Sequence, residues 1–243
     1  MNLIKLDATD STNVYLKQLS IDSNLENYTV VVSKKQTSGK GQMGAIWKSE
    51  DGKNLTFSLL IKNVIENTAQ IFDLNVAVAT AILQTLESFN IPELSIKWPN
   101  DILSGNKKIA GILIENCFKP DRTIESIVGI GLNVNQTNFE NLPKASSLSK
   151  IMNQKYDLDL LLEKIVLKIE DNCNFISQKK SQILWHLYHD RLFKKEVEME
   201  FQTELNFKFI GIIQGVSKTG LLEVLVDDKT IKTFLTKEIQ MNY

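Results

Sequence analysis

The sequence predicts an α+β protein in which a mixed β-sheet carries helices packed on it and is followed by a small antiparallel β-barrel. Short runs rich in Val, Ile and Leu, bordered by Gly or Asn, recur through the first half of the 243-residue chain, as strands do. One strongly helical block interrupts these runs. Near residue 190 the helical periodicity ends, and about 50 residues of short alternating runs follow, a length typical of a small barrel.

The elements of the first unit follow from residue spacing. Asp10, Ser11 or Thr12 can cap a helix over 12–19 through a side-chain oxygen. Apolar residues recur at steps of three and four in two further segments, which predicts helices over 72–89 and 157–178. Composition and border residues predict strands over 29–33, 54–61, 95–98, 109–116 and 126–135.

The last part of the chain reads as meandering strands over 197–201, 208–216, 221–227 and 230–235. Thr219-Gly220 and Asp227-Asp228 are turn signals between them. Because the composition changes near His189, we predict one domain over residues 1–190 and a second over 191–243.

Charge and cysteine usage exclude several classes of protein. The 28 Lys+Arg and 29 Asp+Glu give a formal net charge of −1, which provides no general attraction for nucleic acid or anionic membrane. The first residues show no signal-peptide pattern, and no apolar run approaches the ~20 residues of a membrane span. Cys117 and Cys173 are not in a metal-ligand spacing. We therefore expect a cytoplasmic protein.

A glycine-rich segment over residues 36–47, QTSGKGQMGAIW, follows a predicted strand directly. Glycines let backbone N–H groups approach an anion, and Lys40 adds a point charge. The segment matches neither the Walker A pattern nor the dinucleotide fingerprint. A flexible loop with a solvated lysine remains the alternative.

Three later segments also carry polar groups at strand ends or glycines within strands. Asn100 and Asp101 follow a strand that ends at a proline, where they could hold Mg²⁺, orient an amine or simply form a turn. One of Lys107 and Lys108 points to the buried side of a hairpin, which requires an anionic partner, unless both only protect its edge. The strand GIGLNVN has glycines that indicate close approach, and its Asn133 could read an adenine edge or merely end the strand.

Taken in order, the segments DSTN, QTSGKGQMGAIW, KWPND, KKIAGILIE and GIGLNVN closely resemble biotin protein ligases over about residues 7–135. The β-rich end of the chain is similar to the small barrel of these ligases. The resemblance is to the form without an N-terminal DNA-binding domain. It implies a class II synthetase-like catalytic domain that binds biotin and ATP over 1–190, and a barrel over 191–243.

The resemblance implies that the enzyme activates biotin with ATP to biotinyl-5′-AMP, with release of pyrophosphate. It then transfers biotin to a lysine of a biotin carboxyl carrier protein such as that of acetyl-CoA carboxylase. ATP and Mg²⁺ are the implied cofactors, with Mg²⁺ held mainly by the ATP phosphates and no certain protein ligand. No DNA or membrane partner is expected, and a monomer and a homodimer are both compatible with the sequence.

The resemblance also assigns roles to residues of this chain. The implied catalytic residues are Lys108, Asp101 and Lys40. The implied biotin-binding residues are Ser11, Thr12, Asn13, Gln36, Gly39, Lys40, Gly41, Gln42, Lys108 and Gly111. The implied ATP-binding residues are Trp47, Asn100, Lys108 and Asn133.

The glycine loop departs from the family's arginine-rich form, because its four arginine positions read Lys40, Gln42, Met43 and Ala45. A lysine supplies a point charge but not the bidentate fork of an arginine. Two other functions compete with the ligase. A lipoate or octanoate ligase shares the fold, but its Arg-Arg and Gly-Gly-Gly stretch and His-Asp element are absent. A non-catalytic adaptor is disfavoured by the presence of Lys108, Asp101 and Asn133.

Overall fold

The computed structural model describes residues 2–22, 24–140, 142–226 and 230–243. Within these residues the first sheet contains the strands β1 Asn2–Thr9, β2 Thr29–Gln36, β3 Leu55–Lys62, β4 Leu94–Lys97, β5 Asp101–Ser104, β6 Lys107–Phe118 and β7 Ile124–Leu132. The second sheet contains β8 Glu198–Thr203, β9 Lys208–Val216, β10 Leu222–Val226, β11 Thr230–Phe234 and β12 Ile239–Asn242. The helices are α1 Thr12–Asp22, α2 Ile71–Ser88, α3 Leu148–Met152, α4 Leu158–Ser177 and α5 Gln182–Asp190.

The first sheet has the strand order β1-β2-β3-β7-β6-β5-β4. Strands β1 and β2 are parallel and joined through α1, whereas the remaining neighbours are antiparallel. The sheet is therefore mixed, as the sequence predicts. Its centre is formed by β3, β7 and β6. Of these, β6 carries Lys107, Lys108 and Gly111, and β7 carries Gly129 and Gly131.

Helices cover both faces of this sheet. On one face α1 buries Leu16 against Val31, Leu60 and Ile127. On the other face α2 packs on the sheet and against α4. The segment Thr68–Ser88, which includes α2, is long and apolar enough to cross a membrane by length and composition, but 67% of an 18-residue stretch of it is buried inside the fold. Such burial is typical of the central helix of a folded core.

The helix boundaries follow from local chemistry. Asp157 caps α4 by accepting hydrogen bonds from the backbone N–H groups of Asp159 and Leu160, which an N-terminal helix turn leaves unpaired. The predicted helix over 157–178 is confirmed, as is the helix over 72–89, which runs from Ile71 to Ser88.

The second sheet is antiparallel with the order β11-β10-β9-β8-β12. Phe201, Phe209 and Phe234 stack within it, with successive ring centroids 5.4 and 5.8 Å apart. Its buried residues belong to the same hydrophobic cluster as α2 and the first sheet, so one continuous core joins the two parts. The boundary at 190/191 stays a prediction, and the predicted turn at Asp227-Asp228 lies outside the described residues.

Four elements were not predicted: β1, α3, α5 and β12. The predicted strand over 126–135 also ends early, at Leu132. Beyond that point the backbone N–H of Asn133 donates to Ile109 O, and that of Val134 donates to Asn54 Oδ1. Asn133 and Val134 therefore leave the β7 ladder, and other groups satisfy their hydrogen bonds.

Candidate active site

A cavity of about 230 Å³ opens between the glycine-rich loop and the centre of the first sheet. Most of the residues singled out in the sequence line it. They are Ser11, Thr12, Asn13, Gln36, Lys40, Gly41, Gln42, Trp47, Asn100, Asp101, Lys108, Gly111, Gly129 and Gly131. The sheet thus brings together five segments that are up to about 120 residues apart in sequence.

The glycine-rich loop folds as a tight hairpin over one side of this cavity. The N–H of Trp47 donates to Gly39 O at 2.9 Å, and the N–H of Gly41 donates to Ala45 O at 2.7 Å. At its tip Met43 has φ of 56° and Gly44 has φ of 81°, so the turn places two successive residues in the left-handed region. The hairpin carries Lys40 and Gln42 to the cavity.

A buried polar network forms the floor of the cavity. Gln36 Oε1 accepts from both the backbone N–H and the hydroxyl of Thr12, at 2.8 and 3.1 Å. The Ser58 hydroxyl bridges Thr12 Oγ1 and Asn13 Oδ1, at 2.8 and 2.6 Å. Asn13 Nδ2 donates to Glu115 Oε2 at 2.9 Å. Fixed donors and acceptors of this kind suit a small ligand with a urea or amide group.

Glycines in β6 and β7 let side chains lie directly on the sheet. A Cβ added to Gly129 would overlap the Asn13 amide, and one added to Gly131 would overlap the Trp47 ring. Gly111 lies against both Lys108 and Trp47. This confirms that the strand glycines indicate close approach. The Trp47 indole N–H is buried and has no hydrogen-bond partner among the described residues, so it is free to serve a ligand.

Lys108 is the lysine that faces the cavity. Its Nζ lies 2.6 Å from Asp101 Oδ1, with 33% and 16% of the two side chains exposed. The neighbouring Lys107 is directed away and donates to Pro143 O at 2.5 Å. The predicted anionic partner of a semi-buried lysine is therefore Asp101, and alternation along β6 separates the two lysines.

Further cations surround Asp101. Lys97 is its cross-strand partner in the β4–β5 pair. Burial lowers the pKa of Lys97, and the positive charges of Lys108 and Lys144 lower it further, although the Asp101 carboxylate opposes this shift. The Tyr243 ring lies against both Lys144 and Lys97, with its centroid 4.1 Å from Lys144 Nζ and 5.4 Å from Lys97 Nζ. The sequence motifs did not identify these three residues as neighbours of Asp101.

Two predicted site residues lie just outside the cavity. Asn133 lines an adjoining cavity of about 510 Å³ on the other side of Trp47 and Lys108. Its amide nitrogen donates to Ser146 O at 3.0 Å. Gly39 lines a neighbouring groove beside the loop. Trp47 and Lys108 line both cavities and therefore lie between them. We call the 230 Å³ cavity the polar chamber and the 510 Å³ cavity the second chamber. Two adjoining chambers suit a ligand with two parts.

Sequence reasoning missed Ser58 and Glu115, which hold Asn13 in place. A serine within the buried strand β3 was the signal for Ser58, because a buried hydroxyl needs a partner. Within the described ranges, no group of three or more His, Cys, Asp or Glu is arranged to hold a metal ion. Asp101, the carboxylate at the cavity, is already paired with Lys108.

The chain belongs to the biotin/lipoate A/B protein ligase family, since the sequence model of that family matches residues 6–135. Its similarity is to biotin ligases in particular. It is 32% identical over 250 residues to the bifunctional ligase/repressor BirA of Bacillus spizizenii, across 99% of this chain and 74% of that protein. It is 28% identical over 166 residues to the biotin–[acetyl-CoA-carboxylase] ligase of Mycobacterium tuberculosis, across 67% of this chain and 60% of that protein.

Solved structures give the same result. The biotin protein ligase from Aquifex aeolicus, solved in complex with biotin and ATP, superposes with a TM-score of 0.82 at 29% identity, covering 99% of this chain and 98% of that one. The agreement confirms the α+β class predicted from the sequence, with its mixed sheet and second antiparallel sheet.

Proposed function

We propose that the chain is a biotin protein ligase. It activates biotin with ATP to biotinyl-5′-AMP, releases pyrophosphate, and transfers biotin to a lysine of a biotin carboxyl carrier protein such as that of acetyl-CoA carboxylase. The observation that carries this proposal is the Lys108–Asp101 pair, with 2.6 Å between Nζ and Oδ1, at the junction of two chambers. Membership of the family and the similarity to biotin ligases support it.

In the first half-reaction the biotin carboxylate oxygen attacks the α-phosphorus of ATP, and the bond to the leaving pyrophosphate breaks. Both reactants are anions, so they repel one another at bonding distance. Lys108, and Lys40 from the loop, would neutralise this charge as it accumulates on the phosphoryl oxygens. Mg²⁺ would be held by the ATP phosphates, because the described residues offer no carboxylate cluster for it.

In the second half-reaction the amine of the acceptor lysine attacks the biotinyl carbonyl carbon. The new C–N bond forms, the C–O bond to AMP breaks, and the amine gives up a proton. Asp101 would orient the amine and accept this proton. Its carboxylate oxygen lies 2.6 Å from Lys108 Nζ, and Lys108 lines both chambers, so the two groups would act on the same reacting centre.

The two chambers divide the ligand between them. The biotin ureido group would bind in the polar chamber, at Ser11, Thr12, Asn13 and Gln36, with the Gly39 to Gln42 loop backbone and Gly111 beside it. The adenylate would occupy the second chamber, at Trp47 and Asn133, with Asn100 contacting it from the polar chamber. The Thr12–Gln36 and Ser58–Asn13 hydrogen bonds support the first assignment, because they fix donors and acceptors before biotin arrives.

The proposal extends to cellular context. The enzyme would work in the cytoplasm, where its carrier protein is made and Cys117 and Cys173 stay reduced. A net charge of −1 gives it no general attraction for DNA, so we propose ligase activity without operator binding. Monomer and homodimer are both compatible with this activity.

The direct test supplies purified protein with biotin, ATP, Mg²⁺ and a carboxyl-carrier domain, and measures the intact mass of the carrier. We expect a gain of one biotinoyl group on a single lysine. Lipoate in place of biotin provides the competing substrate of the same family. Modification by lipoate and not by biotin would overturn the proposal in favour of a lipoate ligase.

A further inference from the structure

Three consecutive residues before the active-site turn each contact a different segment from the last part of the chain. The N–H of Ile96 donates to Arg191 O at 2.7 Å. Lys97 Nζ lies 5.4 Å from the centre of the Tyr243 ring. Trp98 Nε1 donates to Gly220 O at 2.9 Å. The segment leading to Asn100 and Asp101 is therefore held from outside the first sheet.

The Trp98–Gly220 contact is the most specific of the three. The Trp98 side chain is buried, with 4% exposed, and its indole N–H reaches the turn between β9 and β10. Gly220 has φ of +86°, and a Cβ at this position would overlap the ring of Phe72 on α2. Only glycine fits there, since both the backbone conformation and the space exclude a side chain. The turn is seated between Trp98 and Phe72.

Asp101 and Lys108 share the β5–β6 pair, where Asp101 lies opposite Gly111, but they differ in their further anchors. Asp101 lies three residues after Trp98. Asn100, which precedes Asp101, donates a hydrogen bond from Nδ2 to Ile112 O at 2.7 Å. Lys108 is held from the other side, because its N–H donates to Lys144 O at 2.7 Å. Its carbonyl accepts from the N–H of Ser146 at 3.0 Å. A disturbance at Trp98 therefore reaches Asp101 first, because Lys97, the residue before Trp98, is the cross-strand partner of Asp101.

We propose that the second sheet positions Asp101 for biotin transfer through the Trp98–Gly220 contact. Trp98 and Gly220 are positioning residues in this arrangement and touch no substrate. The inference rests on the proposed function, in which Lys108 serves adenylation and Asp101 serves transfer. Breaking the contact should slow transfer selectively, because Lys108 keeps its backbone hydrogen bonds to Lys144 and Ser146.

The test measures the two half-reactions separately on each variant. Biotin-dependent ATP–pyrophosphate exchange reports adenylation, and single-turnover transfer from preformed biotinyl-5′-AMP to a carboxyl-carrier domain reports the second step. Trp98→Phe removes the N–H and keeps an aromatic ring in the core. We expect its transfer rate to fall by about tenfold or more, as small misplacements of a reacting group do. Exchange, and the KM for the carrier domain, should change by less than about twofold.

Gly220→Ala provides a second variant that shifts the turn, and Gly52→Ala is its matched control. Gly52 has φ of +68° but open space around it, so it shares the backbone penalty without the overlap. Selective loss of transfer in Trp98→Phe or Gly220→Ala, and not in Gly52→Ala, supports the proposal.

Two results would overturn the inference. One is an unchanged ratio of transfer to exchange in both variants. The other is an equal loss of both half-reactions with a lowered melting temperature, which would make the contact merely structural. If the unmodified protein shows no exchange with biotin, the proposed function itself fails, and this outcome is distinct from either result.

Discussion

Replacing Lys108 by alanine separates its role in the fold from its role in the reaction. In the fold the ammonium pairs with Asp101 at 2.6 Å, but 33% of its side chain is exposed, so its loss should cost about 1 kcal/mol of stability or less. In the reaction the same ammonium would neutralise charge that grows in the transition state. Loss of one such preorganised group costs about 2.7–4 kcal/mol, or roughly 10² to 10³ in rate.

The assay is pyrophosphate exchange at saturating biotin and ATP, with biotin affinity measured by calorimetry. Lys108→Ala should lower the exchange rate by about 10² or more and change biotin affinity far less. The reason is that an interaction that strengthens only in the transition state changes the rate and not the binding of the substrate. Lys107→Ala is the matched control, since Lys107 points to Pro143 O and should cost little. Loss of exchange in Lys107→Ala and not in Lys108→Ala would refute the reasoning, as would no effect in either.

Four more outcomes follow from the structure. Ser58→Ala should weaken biotin binding by about tenfold in calorimetry, because it removes the buried hydrogen bond that Ser58 donates to Asn13. Unchanged affinity would show that Ser58 does not hold Asn13 in place for biotin. Trp47→Ala should raise the KM for ATP by about tenfold if its ring stacks on adenine; a change in the KM for biotin alone would reverse that assignment. Tryptic cleavage after Lys40 should slow when biotin and ATP are both present, since the loop must then close over the adenylate; equal cleavage in both states would exclude a lid. Burial raises the pKa of the Cys173 thiol to about 12, so iodoacetamide at neutral pH should modify Cys117 first. The free energy of unfolding should fall as the pH rises above the ordinary thiol pKa of about 9, because Cys173 then loses its proton in the unfolded chain but keeps it in the folded one.

The central part of the fold was predictable because its chemistry is local. Strand β3 is buried at nearly every position and helix α2 shows a regular apolar spacing, so composition and period were sufficient. Strand β1 was missed because it is a half-exposed edge strand with charged residues, and its parallel partner lies beyond α1. Strand β12 is short and depends on pairing with β8, a contact over about 40 residues. Such pairing leaves no local pattern.

The site was predictable where a residue violated its local pattern. Lys108 beside a core strand, and Gly131 within one, each required a partner, and the structure provides Asp101 and Trp47. The contacts of Tyr243 with Lys97 and Lys144 were not predictable, because they arise from packing of the second sheet against the first. Long-range packing of this kind is specified by shape rather than by a motif.

Biotin-dependent exchange of labelled pyrophosphate into ATP by the purified protein tests the central claim most directly. Exchange needs only biotin, ATP and Mg²⁺, so it does not depend on knowing the carrier protein. We expect exchange that requires biotin, is not supported by lipoate, and falls by about 10² or more in Lys108→Ala. Tight binding of biotin and ATP without exchange would contradict it and would identify a binding protein that does not catalyse adenylation.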